Sequence, residues 1–153
     1  MSLRLRTIDD LERALAHAAA LDRHAEEFHA QFSDEPFPQG ATQRFLEAHF
    51  GEPETLLLVA EDVASEERAG VCLIGAFEDP LLGARTPTVL ILFVEPSWRH
   101  RGVARALIQR ALEVLSDKGH PNLAARVGHN DDALISMGER WGFTRLWEFI
   151  LRE

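Results

Sequence analysis

The feature that most constrains this chain is a seven-residue run, Thr88-Val89-Leu90-Ile91-Leu92-Phe93-Val94, closed two positions later by Pro96. It is β-branched and apolar at even and odd positions alike. A half-exposed strand would alternate, so this run fits a central strand covered on both faces. Its unbroken apolar part, from Val89 to Val94, is six residues long, far short of the roughly 20 needed to span a bilayer. A strand buried on both sides needs other layers above and below it. The order of elements around it gives a mixed α/β sandwich.

The flanking patterns supply those layers. Residues 3–7 alternate as a short strand. From Asp9, with Asp9 or Asp10 as N-cap, one apolar stripe passes through Leu11, Leu15, Ala18, Leu21, Ala25, Phe28 and Phe32, which predicts a single long helix. Residues 33–40, holding Pro36, Pro38 and Gly40, form a loop. Residues 42–50 predict a short helix stopped by Gly51 and Pro53. Residues 55–62 and 70–78 read as an antiparallel hairpin. A loop with Pro80, Gly83 and Pro87 then leads into the central strand. A helix over 101–118 buries Val103, Leu107, Ala111, Leu112 and Leu115, turns Arg105, Gln109 and Glu113 outward, and ends at Gly119 and Pro121. A strand over 123–127, a helix over 131–141 and a strand over 143–151 complete the order β-α-α-β-β-β-α-β-α-β.

The chain has 153 residues, the size of one domain, and no repeat or linker divides it, so residues 1–153 are expected to form a single domain. The 46% hydrophobic content supports a packed core, which excludes disorder and disulfide scaffolds. With 16 basic and 25 acidic residues the formal charge is −9, which excludes non-specific nucleic-acid binding and favours cationic ligands such as amines. No basic segment followed by an apolar one opens the chain, and Cys72 is its one cysteine. A cytoplasmic location is expected from this. His17 and His24 share a helical face but stand roughly 10.5 Å apart along the axis, too far for one metal. No metal site is expected. Cys72 and the three tryptophans read as packing residues.

The chemistry concentrates after the central strand, in Val94-Glu95-Pro96-Ser97-Trp98-Arg99-His100-Arg101-Gly102-Val103-Ala104-Arg105. Here a buried strand passes through a tight turn into a helix start, whose unpaired N–H groups suit a phosphate or pyrophosphate. Gly102 allows close backbone approach, Ala104 keeps the next contact small, and Arg99, Arg101 and Arg105 offset the negative field of the molecule. Neither a dinucleotide fingerprint nor a P-loop is present.

The form V-x-P-x-x-R-x-x-G-x-A, at Val94, Pro96, Arg99, Gly102 and Ala104, resembles the signature of the GNAT superfamily of acetyl-CoA-dependent N-acetyltransferases, R/Q-x-x-G-x-G/A. Asn130 to Phe143, with Gly142-Phe143 at its end, resembles that family's second motif. The order of elements agrees over nearly the whole chain. The resemblance implies an acyl-CoA N-acyltransferase fold: a mostly antiparallel mixed sheet whose central parallel strands, residues 88–94 and 123–127, splay apart, with helices on both faces. It also implies that the pantetheine arm of acetyl-CoA lies in that gap against the backbone of Phe93 and Val94. The N–H groups from His100, Arg101, Gly102 and Val103 to Ala104 then hold the pyrophosphate, and Asn130 lies near the pantetheine or caps the next helix. A homodimer is common among similar proteins.

Two departures bear on mechanism. Many family members place a tyrosine four residues before the glycine of the Gly-Phe pair, where it protonates the leaving thiolate. Gly138 stands there, and the chain contains no tyrosine. Counting back from Gly142 also places Asp131, not Asn130, where the motif's Asn falls. A missing general acid costs on the order of 10²–10⁴ in rate, but a thiol near pKa 8.5 is a far better leaving group than an amine near about 10.4. A further gap in the mechanism is the base. Such an amine is only about 0.04% neutral at pH 7, and the central strand carries no titratable side chain. The candidates are Glu78, which ends the neighbouring strand, and His129, at the mouth of the expected gap. Glu26, Glu27, His29, Asp34 and Glu35 fall on the family's acceptor side and suit a cationic substrate.

The expected activity is acetyl transfer from acetyl-CoA to a small-molecule or peptide amine by direct attack, with backbone near Val94 and Glu95 holding the oxyanion. The alternative is a non-catalytic acyl-CoA-binding or regulatory module of the same fold.

Overall fold

A computed structural model describes residues 2–31, 33–128 and 131–146. Its elements are β1 (Leu3–Ile8), α1 (Leu11–Leu15), α2 (Ala18–His29), α3 (Ala41–His49), β2 (Leu56–Asp62), β3 (Arg68–Glu78), β4 (Arg85–Val94), α4 (Val103–Asp117), β5 (Ala124–Ala125) and α5 (Asp132–Arg140). The strands form one sheet in the order β1-β2-β3-β4-β5. Pairing is antiparallel as far as β4 and parallel between β4 and β5.

Alternation along β2 sorts the core into two layers. Leu56, Leu58 and Ala60 join Cys72, Ile74 and Val89 under α4, which contributes Val103, Leu107, Ile108, Ala111 and Leu115. Leu57 and Val59 join Val71, Leu73 and Ile91 on the opposite face, under Ala14 of α1, Leu21 of α2 and Leu46 of α3. The central run is thus covered on both sides, as its composition requires.

The run does not alternate regularly. Leu73 of β3 faces Ile91 while Ile74 faces Val89, so Leu90 is an extra residue, a β-bulge. In consequence Leu90 and Ile91 both point toward the α1–α3 face. Gly75 makes room for this: a Cβ there would meet the Phe45 ring at 2.5 Å and Leu90 Cδ1 at 2.9 Å.

Several expectations need correction. The stripe through residues 11–32 is two helices, not one, because an i→i−3 bond from His17 N–H to the Ala14 carbonyl, at 3.0 Å, tightens the chain between them. Phe32 lies outside the described residues. Pro87 belongs to β4 and not to the preceding loop. It pairs with Ala76 at a position where a strand N–H would point away from β3, so nothing is lost by its absence. Ile108 is buried in place of Leu112, which is exposed. The strand over 123–127 shrinks to Ala124–Ala125. Residues 143–146 form no regular element, and the rest of the expected final strand lies outside the described residues.

Candidate functional site

The open edge of β4 builds the site. Its hydrogen bonds to β5 involve only the stretch around Thr88–Val89, which pairs with Ala124–Ala125. Beyond Val89 no β5 residue pairs with β4 among the described residues. Strand geometry decides which backbone groups this leaves available. Glu95 N–H donates to the Ala69 carbonyl at 2.8 Å, so alternation turns the peptide groups of Phe93 and Ile91 toward β3 and those of Val94 and Leu92 outward. Two sequence expectations change accordingly. Phe93 does not offer its backbone to the gap, and the residue that does, Leu92, was missed. Glu95 cannot donate to an oxyanion, because its N–H is already used.

Two arginines reach this edge. Arg99 Nε donates to the Val94 carbonyl at 3.1 Å. Arg126 Nη2 donates to the Leu90 carbonyl at 3.4 Å, and its own N–H reaches the Val89 carbonyl at 3.4 Å. Leu92 lies between them.

The turn leading from β4 to α4 takes its shape from a few residues. Pro96–Trp98 make one 3-10 turn, Arg99 is extended (φ −67°, ψ 151°), and His100 enters the left-handed region at φ 63°. Gly102, at φ 80° and ψ 12°, is the N-cap of α4. That conformation favours glycine, and a Cβ there would meet no protein atom within 4 Å. The space beside Gly102 is therefore open to a ligand. The first turn of α4, from Val103 and Ala104, leaves its N–H groups without intrahelical acceptors, and Arg99, Arg101 and Arg105 surround it. The Arg99 guanidinium stands over the Phe93 ring at 5.6 Å and that of Arg101 over Trp98 at 5.6 Å. Strand end, turn and helix start thus form one local unit.

Helix α2 roofs the other side of the gap. Arg68 Nη1 lies 3.5 Å from His17 Nδ1 and its Nη2 lies 3.5 Å from Glu95. One step along, the His24 ring stacks on Phe93 with centroids 3.4 Å apart. Next, Phe28 lies under the Arg126 guanidinium at 5.1 Å, and Gln31 closes on Gly128. The helix therefore crosses from the end of β4 to the end of β5. Both ring nitrogens of His24 are buried without a hydrogen-bond partner among the described residues. Burial first, then the Arg68 charge, hold its pKa below the ordinary 6.5, so His24 is neutral near pH 7.

The remaining expected residues fall differently. Glu78 stands opposite Arg85 at the far end of β4 and pairs with it at 3.5 Å; it is not brought to the gap. His129 and Asn130 lie outside the described residues. Asp131 is the N-cap of α5, its carboxylate accepting from Leu134 N–H at 3.1 Å. The cap expected of Asn130 therefore belongs to Asp131, as the count from Gly142 indicated. At Gly138 a Cβ would meet only Phe143 Cβ, at an ordinary 3.7 Å, so no protein atom requires glycine there. No helix among the described residues is long and apolar enough to cross a membrane.

Comparison with known proteins places the fold. The model of the acetyltransferase (GNAT) family matches residues 18–143. Among solved structures, the aminoglycoside N-acetyltransferase AAC(6')-Iy, in complex with the bisubstrate analogue CoA-S-monomethyl-acetylneamine, is similar at TM-score 0.72 and 17% identity over 100% of this chain and 98% of that chain. A predicted acetyltransferase from Clostridium acetobutylicum with acetyl-CoA is similar at TM-score 0.72 and 13% identity, over 99% and 96% of the two chains. Glucosamine-6-phosphate N-acetyltransferase from Arabidopsis thaliana is similar at TM-score 0.64 and 9% identity, over 100% and 99%. At such identities the likeness is one of fold. No curated protein matches.

Proposed function

The chain belongs to the GNAT family of acetyltransferases, and from that premise we propose that it transfers an acetyl group from acetyl-CoA to a primary amine by direct attack in a ternary complex. The observation that carries this is the outward-facing edge of β4, Leu90, Leu92 and Val94, ending at the open N-terminus of α4. Structures of the same fold with CoA and acetyl-CoA support it.

In this reading the pantetheine amides pair with the peptide groups of Leu92 and Val94, displacing the Arg99 side chain from the Val94 carbonyl. The pyrophosphate accepts N–H bonds between His100 and Ala104, with Arg99 and Arg101 beside it, and Asn130 lies by the pantetheine or the start of α5. The neutral amine attacks the thioester carbon, the carbonyl electrons move to oxygen, and an outward N–H of the bulged strand stabilises that oxyanion. Collapse expels the CoA thiolate, which a water protonates in the absence of a tyrosine. The proton lost by the amine leaves through water or through His129, which directly follows Gly128 at the mouth of the gap. A small-molecule amine or a peptide N-terminus is the acceptor.

The test is calorimetry with acetyl-CoA alongside thiol release over a panel of amines and peptides. Saturable binding with release on at least one acceptor is expected. Binding without release on any of them favours the acyl-CoA-binding module, the reading that Gly138 in place of a hydroxyl supports. No binding overturns both.

A further inference from the structure

We infer that Arg126 recognises the acceptor, and that the acceptor carries a carboxylate together with the amine it presents for acetylation; this rests on the acetyl-transfer reading above. Arg126 sits at the bulged end of the gap, and its guanidinium bridges the Leu90 carbonyl of β4 and the Phe28 ring of α2. Leu90 and Val94 are four residues apart, roughly 13 Å along a strand. An anion bound by Arg126 is therefore a different anion from one held at the start of α4.

Position sets Arg126 apart: it reaches the β4 edge at the bulge, between Leu90 and the roof helix. The chain has 25 acidic residues against 16 basic ones, and Arg4, Arg6, Arg68, Arg85, Arg110 and Arg145 all have a carboxylate within 4 Å. Arg126, like Arg13, Arg23, Arg44, Arg99, Arg105 and Arg140, has none among the described residues. Among the described residues its polar contacts are the long bond to one peptide carbonyl and the face of one ring, and the side chain is exposed at the mouth of the gap. A guanidinium is a planar fork of five donors matched to a carboxylate, and most of that fork is unused. The roof of the gap also bears Glu26 and Glu27, both exposed, which draw an ammonium toward the same mouth. A zwitterion satisfies both charges: its carboxylate lies on Arg126 and its amine is left to face the thioester. A polyamine satisfies only the acidic side.

A carboxylate at this point could also be carried by the acyl chain of a dicarboxylic acyl-CoA, so the experiment separates the two sources. One arm compares acetyl transfer to α-amino acids with transfer to their α-amides, in the wild type and in Arg126→Gln. A second arm offers succinyl-CoA to a simple alkylamine. The expected result is that Arg126→Gln raises KM for the amino acids about 10- to 100-fold and leaves the amides and the CoA dissociation constant within about twofold. Arg126→Lys should recover part of the loss, keeping the charge without the fork. An equal fall in kcat on acids and amides overturns the inference, because Arg126 would then serve the transfer itself. So does a wild type that prefers amides, or a preference for succinyl-CoA that disappears in Arg126→Gln. If no amine is acetylated, the acetyl-transfer reading fails by itself, and calorimetric titration of the same amino acids into CoA-loaded protein decides the role of Arg126: tighter binding to wild type than to Arg126→Gln upholds it, and equal binding sinks it.

Discussion

The two sides of the gap between β4 and β5 are made in opposite ways. The β4 side is one continuous segment, in which strand, bulge, turn and helix start follow one another from Thr88 to Arg105. The α2 side is gathered from distant parts of the chain: His24, Phe28 and Gln31 meet Phe93, Arg126 and Gly128 respectively only after the sheet has folded. The first side offers mainly backbone groups, whose positions follow from local φ/ψ. The second offers side chains, whose meeting depends on tertiary packing. A shared cofactor can therefore be held by the local side while the acceptor changes with the assembled side.

Breaking the local side should give the largest effect. Gly102→Glu places a carboxylate in the open space beside the N-cap, and acetyl-CoA binding should fall below detection by calorimetry. Gly102→Ala is the control: forcing an L-residue to φ 80° costs about 1–2 kcal/mol in denaturant melts, while the variant still binds. If Gly102→Glu bound as tightly as wild type, the anion site would lie elsewhere. A smaller effect is expected at Arg99 and Arg101, which add charge to a site made of N–H groups. Each change to Ala should weaken CoA binding about tenfold, and less at high salt.

On the assembled side, the effect of pH is smaller and its sign is fixed by burial. His17 and His24 both have pKa values lowered from 6.5, chiefly by burial and then by Arg68. As pH falls below about 6.5 the unfolded chain takes up these protons before the folded one does, so stability declines from there toward the folded pKa values and is flat above. His24→Phe, which keeps a ring against Phe93, should reduce that part of the slope of stability against pH; an unchanged slope would show that His24 does not contribute to it. The carboxylates of Glu54 and Asp62, held low by Arg85 and by Ser65, act only at more acid pH, below their ordinary 4.5 and 3.8. The smallest effect is expected at Gly138, where Ala should stabilise α5 by up to about 1 kcal/mol. Gly138→Tyr, if it raises thiol release, would identify leaving-group protonation as limiting.

What the sequence determined by itself is the part of the molecule where neighbours in the chain are neighbours in space. The doubly buried run, its end at Pro96, the turn at Gly102 and the open start of α4 all follow from composition and spacing. The tertiary structure decided the rest. Register and the bulge at Leu90 selected Leu92 over Phe93, because which peptide groups face outward depends on the partner strand. Pairing moved Glu78 to the wrong end of β4. The cap passed from Asn130 to Asp131, since one residue of phase in a helix start is invisible until the helix is docked. Arg126 gave no signal at all in the sequence: only folding brings its guanidinium to the Leu90 carbonyl and the Phe28 ring at the bulged end of the gap.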